Sequence, residues 1–167
     1  MSPIEVGAPA PLLHAKLTDA EGHTHVLADA LARGPVVLGL YKSSCQASKT
    51  MFPFLERLHQ RFGDQNLTVI GVAQDSANVT RSFARRYGIT FPIIVEGDEY
   101  PVSRAYDIFA TPTVFLIRPE GTIAYQTMGF FRDQVNELGN AVAAELGAPP
   151  WDLFTAEDAG TPVFVPG

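Results

Sequence analysis

The sequence predicts an α/β fold, with helices on both faces of one sheet, from three observations. Apolar runs of strand length alternate with segments of helical period along the chain. Two of those runs, residues 36–41 and 67–73, are almost continuously apolar, as a strand covered on both faces must be. No internal repeat or long linker breaks the alternation, and 167 residues with 46% hydrophobic content are enough for one sizeable core without disulfide staples.

The elements follow in order. Residues 12–17 and 24–26, around the turn Asp19-Ala20-Glu21-Gly22, read as a small hairpin. A short helix over 27–32 is closed by Gly34, and the buried strand 36–41 comes next. Met51, Phe54, Leu55, Leu58 and Phe62 recur at helical spacing, which predicts a helix over 45–62 with a kink at Pro53. The strand 67–73 is expected beside 36–41. A helix over 77–87 places Val79, Phe83 and Tyr87 on one face and stops at Gly88. A strand over 91–95 and a short helix over 102–106 lead to residues 109–117. There Pro119-Glu120-Gly121 turns the chain back into 122–128, a second hairpin. The closing helix, 132–146, aligns Val135, Leu138, Val142 and Leu146. This divides the chain into a domain over 1–147 and an irregular tail over 148–167. Trp151, Phe154 and Phe164 are the expected anchors of the tail on its own domain or on a neighbouring subunit, where it serves either for packing alone or as a cover over part of the Cys45 surface; a homodimer is one such arrangement.

Composition narrows the function. A net charge of −6 with scattered basic residues argues against nucleic acid, which needs a clustered positive surface. No apolar run approaches the roughly 20 residues that cross a bilayer, and the first residues lack the basic and apolar regions of a secretion signal, so membrane insertion is not expected and a cytoplasmic location is. His23 and His25 alternate without a following cysteine or acid at ligand spacing, and no Gly-rich phosphate loop is present. Neither a metal nor another cofactor is therefore expected.

The chemistry-bearing feature is Cys45, the sole cysteine, in Lys42-Ser43-Ser44-Cys45-Gln46-Ala47-Ser48, where a strand gives way to a helix. Free amides and the positive dipole end of a helix favour thiolate over thiol, and Lys42 adds a positive charge nearby. The alternative is a small buried hydrophobe, a common fate of a free cysteine, against which the polar neighbours argue. Gln74 and Asp75 end a central strand and so border the expected site. Asp75 is equally suited to cap the next helix, with Ser76 as its competitor.

A thiol at the start of a kinked helix, followed by Phe52-Pro53-Phe54-Leu55, the later Thr111-Pro112-Thr113, the Gly7-Ala8-Pro9 entry and the Arg118-Pro119-Glu120-Gly121 turn, resembles the thioredoxin-like superfamily. The likeness covers residues 4–146 and is nearest the redoxin branch, which includes thiol-disulfide oxidoreductases and the alkyl hydroperoxide reductase and thiol-specific antioxidant (AhpC/TSA) group. The resemblance implies a three-layer α/β/α sandwich with an N-terminal hairpin extension and a C-terminal tail. It also implies a cis Pro112 beside the sulfur and an exposed Thr111 backbone for an extended substrate. Two-cysteine members carry Cys-x-x-Cys; here Ser48 stands in the second place and Gln46 follows Cys45. A serine hydroxyl can donate a hydrogen bond to a thiolate but cannot displace a sulfur, so a mixed disulfide must await an external thiol.

The expected function is therefore thiol-disulfide exchange through one nucleophile, with an external thiol or a disulfide-bearing protein as partner. Cys45, Ser48, Lys42 and Pro112 form the reacting group, and Thr111, Gln46 and Gln74 the substrate-binding one. A one-cysteine peroxidase acting on a small hydroperoxide is the rival. Against it, the peroxiredoxin pattern Pro-x-x-x-Thr/Ser-x-x-Cys finds Leu38 and Lys42 in its places, and Gln74 lacks the partners of a glutathione-peroxidase-like site. A redox-silent peptide-binding module on the same scaffold is the third reading.

Overall fold

The computed structural model describes residues 4–167, so the first three residues of the expected domain lie outside it. It opens with a hairpin shorter than the sequence suggests. β1 (Leu17–Thr18) pairs antiparallel with β2 (Thr24–His25), whereas residues 12–16 turn, with Leu12 at φ 60°. Asp19 organises the turn. Its carboxylate accepts the N–H groups of Glu21 (2.8 Å) and His23 (3.0 Å) and lies 2.7 Å from Nε2 of His25. Hydrogen bonds to its own following backbone are what place aspartate in such turns.

Helix α1 (Leu27–Leu31) leads to β3 (Val36–Tyr41), the centre of a five-stranded mixed sheet ordered β5-β4-β3-β6-β7. β4 (Thr68–Ala73) and β5 (Ile93–Val95) run parallel to β3; β6 (Thr113–Ile117) and β7 (Ile123–Met128) form the antiparallel side. Side chains alternate across β3. Val37 and Tyr41 enter a core with α2 (Gln46–Phe62), α3 (Ala77–Tyr87) and α5 (Arg132–Glu145). Val36, Leu38 and Leu40 enter the opposite core with α1, α4 (Pro101–Ala105) and the N-terminal segment. Both faces of the central strands are thereby sealed, which is why they carry no polar alternation.

The seat of α2 fixes where the thiol stands. Gly39 and Gly71 face each other in register, and a Cβ on either would lie 3.3 Å from the Phe52 ring, which is fully buried over them. Two missing side chains thus let the helix settle on the sheet. α2 runs on through Pro53 as one helix. Among the described residues no helix is long and apolar enough to cross a membrane.

The tail has more order than its sequence suggests. Leu153 is 1% exposed in the α2/α5 core, the Trp151 ring meets Phe62 edge-on at 5.6 Å, and Phe154 stacks on Phe54 at 5.8 Å. A short 3-10 turn (Ala156–Asp158) follows, and Asp158 takes a two-pronged bond from Arg57 at 2.6 and 2.7 Å. The chain then pairs as β9 (Phe164–Val165) with β8 (Phe130–Phe131). Phe164, expected as an anchor, is half exposed against the Phe131 ring; the buried anchor is Leu153.

Candidate active site

β3 ends at Tyr41, three loop residues follow, and Cys45 takes the cap position of α2 with extended backbone (φ −84°, ψ 123°). Its N–H donates to the Lys42 carbonyl at 3.0 Å, and its carbonyl accepts from Lys49 at 3.1 Å. The first turn of α2 therefore begins at this residue, with its amides directed toward Sγ. The loop is braced from the neighbouring strand end: the Ser43 N–H donates to Asp75 Oδ2 at 2.8 Å. That settles the competition for the cap of α3, because Ser76 Oγ accepts from Val79 N–H and Asp75 is engaged elsewhere.

Across the cleft the Thr111–Pro112 peptide is cis, as the resemblance implied. The segment is tied on both sides: Thr113 Oγ1 donates to the Ala110 carbonyl at 2.8 Å, and the Gly129 N–H donates to the Pro112 carbonyl at 2.8 Å. So held, the Thr111 carbonyl accepts the Cys45 thiol proton across an S–O distance of 3.2 Å. Residues 66 positions apart thus form one contact.

Cys45 is partly buried, and its thiol is more acidic than an ordinary one. Burial opposes ionisation, but the Ser48 backbone N–H, the Thr111 and Ser48 side chains and the Ala47 N–H together outweigh it. The source of the shift differs from the sequence expectation. The Lys42 side chain is exposed and its charge is not among the groups that set it; Lys42 instead gives its backbone N–H to Ser48 Oγ at 3.4 Å. Ser48 is fully buried beneath the loop, so its hydroxyl is held in place.

Gln46 is exposed beside Cys45 at the start of α2. The Gln74 N–H donates to the Tyr41 carbonyl at 3.2 Å, and its amide donates to Ser103 Oγ at 3.3 Å. Ser103 in turn donates to Glu96, which also takes the Val102 and Ser103 N–H groups at the start of α4. Gln74 and Thr111 border one cleft of about 360 Å³, together with Ile108, Phe109, Ala110 and Gly167. The structure therefore groups Cys45, Ser48, Thr111 and Pro112 around the sulfur and puts Gln74 on the adjoining cleft. Asp75, expected at the border of the site or as a helix cap, braces the Ser43 loop, and the tail reaches the Thr111 side of the cleft through Gly167.

A second cavity, about 390 Å³ between the first hairpin and α3, is lined by Asp19, His25, Thr80, Phe91 and neighbours and shares no residue with this cleft.

The chain is similar to known proteins in sequence family and in fold. Residues 6–126 match the model of the AhpC/TSA family. The thiol-disulfide oxidoreductase ResA of Bacillus subtilis is 31% identical over 127 residues, covering 75% of this chain and 69% of that protein. Among solved structures, a candidate thiol:disulfide interchange protein DsbE from Chlorobium tepidum superposes with a TM-score of 0.77 at 23% identity, covering 86% of this chain and 99% of its own. Peroxiredoxin Q of Xanthomonas campestris superposes with a TM-score of 0.70 at 24% identity, covering 86% and 97%. These two structures share the thioredoxin-like fold with this chain.

Proposed function

Because the chain belongs to the AhpC/TSA family, we propose that it is a thiol-disulfide oxidoreductase that works with a single sulfur. The observation that carries this reading is the placement of Cys45 Sγ, between the first-turn amides of α2 and the Thr111 carbonyl, with Ser48 where a resolving thiol would have to be. In the resting thiol the carbonyl holds the proton. On ionisation the sulfur keeps its electron pair facing the Ala47 and Ser48 amides and the Ser48 hydroxyl. That thiolate attacks one sulfur of a disulfide; a Cys45–sulfur bond forms, the old S–S bond breaks, and the second sulfur leaves as thiolate with the bonding pair. Ser48 cannot complete a second displacement. An external thiolate attacks the mixed disulfide, takes the substrate sulfur into a new disulfide and returns Cys45 as thiolate.

Intact-mass measurement after exposure to glutathione disulfide, and separately to dilute hydrogen peroxide, tests the proposal. A single glutathione adduct that forms rapidly and is released by excess thiol supports exchange. Sulfenic acid formation faster than adduct formation replaces the proposal with the peroxidase, and inertness to both reagents replaces it with the binding module.

A further inference from the structure

The tail reaches the sulfur, and it is held in two unequal ways. As far as Thr161 it is anchored by buried Leu153, by the two-pronged Arg57–Asp158 pair, and by Arg132 Nη2 donating to the Thr161 carbonyl. Beyond that it is held by the Arg132 N–H donating to the Val163 carbonyl at 2.9 Å, by two residue pairs between β8 and β9, by the Phe131–Phe164 ring contact at 4.5 Å and by Val165, partly buried against the core. Val163 and Phe164 are 62% and 49% exposed, so little burial secures them.

This segment lies on the backbone strip beside Cys45. Gly129, whose N–H binds the Pro112 carbonyl, lies beside the tail: a Cβ on it would stand 3.4 Å from the Val165 carbonyl oxygen and from the Gly167 N. A Cβ on Gly167 would stand 2.4 Å from the Thr111 carbonyl oxygen, the same oxygen that bonds Sγ. Residues 163–167 therefore run up to the Thr111 edge, where Gly167 stands in the place that the resemblance assigns to an extended substrate. A small disulfide needs only the sulfur, which is partly open.

We propose that residues 163–167 are a built-in occupant of the Thr111 edge, which restricts Cys45 to small disulfides and admits a polypeptide disulfide only when this segment lifts. The inference rests on the exchange function proposed above and names its substrate class. The segment competes with the polypeptide, so the apparent rate for a polypeptide falls by the fraction of molecules in which the edge is free.

The test uses two probes on the full chain, on a chain ending at Pro162, and on G167V, which keeps the tail length but forces the segment off the Thr111 oxygen. One probe is glutathione disulfide. The other is an unstructured peptide whose single cysteine carries thionitrobenzoate; the Cys45 thiolate attacks the peptide sulfur, and the coloured thionitrobenzoate leaves with the electron pair. Both variants are expected to raise the peptide rate by about tenfold, as for an edge free in roughly a tenth of molecules, and to leave the glutathione disulfide rate within about twofold. Equal changes for both probes, or no change for the peptide, overturn the inference while leaving exchange standing. If the full chain and both variants react with neither probe, the exchange function fails and the inference falls with it.

Discussion

At the scale of single residues, acidity at Cys45 is a matter of hydrogen bonds rather than of a charged neighbour. Ser48→Ala removes one hydroxyl from the sulfur while keeping the helix amides, so the apparent pKa should rise toward that of an ordinary thiol; ultraviolet titration of the thiolate measures it. A fall, or no movement, would remove Ser48 from the site. Asp75 acts on the loop. Asp75→Ala leaves the Ser43 N–H without its acceptor and should cost about 1 kcal/mol in urea unfolding, whereas Asp75→Asn, which keeps an acceptor oxygen, should recover most of it. Cys45 and the Thr-Pro-Thr triplet were legible in the sequence because their residue types carry the chemistry. The part played by Asp75 was not, since its partner lies 32 residues away on a loop whose course only the fold determines.

Elements show the same division. The strand 36–41 and the helix 77–87 stand where the sequence placed them, one because burial on both faces leaves an unbroken apolar run, the other because Ser76 and Gly88 mark its ends. β8 and β9 were missed, as two-residue strands have no period to read. Of the expected tail anchors, Trp151 and Phe154 pack on Phe62 and Phe54 of α2, whereas Phe164 is half exposed and its place is taken by Leu153, a single leucine with no signal of its own in an aperiodic segment. Leu153→Ala should cost about 2–4 kcal/mol of unfolding free energy. Phe164→Ala, on a half-exposed ring, should cost less than about 1 kcal/mol. The reverse order would mean that the tail is held by its end rather than by its base.

Across the whole molecule, the fold converges on one sulfur. Gly39 and Gly71 seat α2, the sheet aligns the end of β3 with the start of β6, and the Gly129 link places Pro112 opposite the thiol. Folding therefore favours the thiolate, and this has a thermodynamic consequence with a definite sign. A lowered folded-state pKa contributes stability that is fully present above the unfolded thiol value, about 8.5, and is lost as pH falls through the folded value. Cys45→Ala should accordingly lose more stability relative to the parent at about pH 9.5 than at about pH 6, with urea unfolding at both pH values as the measure. The acidity of this sulfur is read from the rate of Cys45 alkylation by iodoacetamide as a function of pH in the folded chain. A single ionisation below the ordinary thiol value of about 8.5, with ready reaction at neutrality, is expected. A midpoint at or above that value, or a sulfur that reacts only after the chain is unfolded, would contradict it.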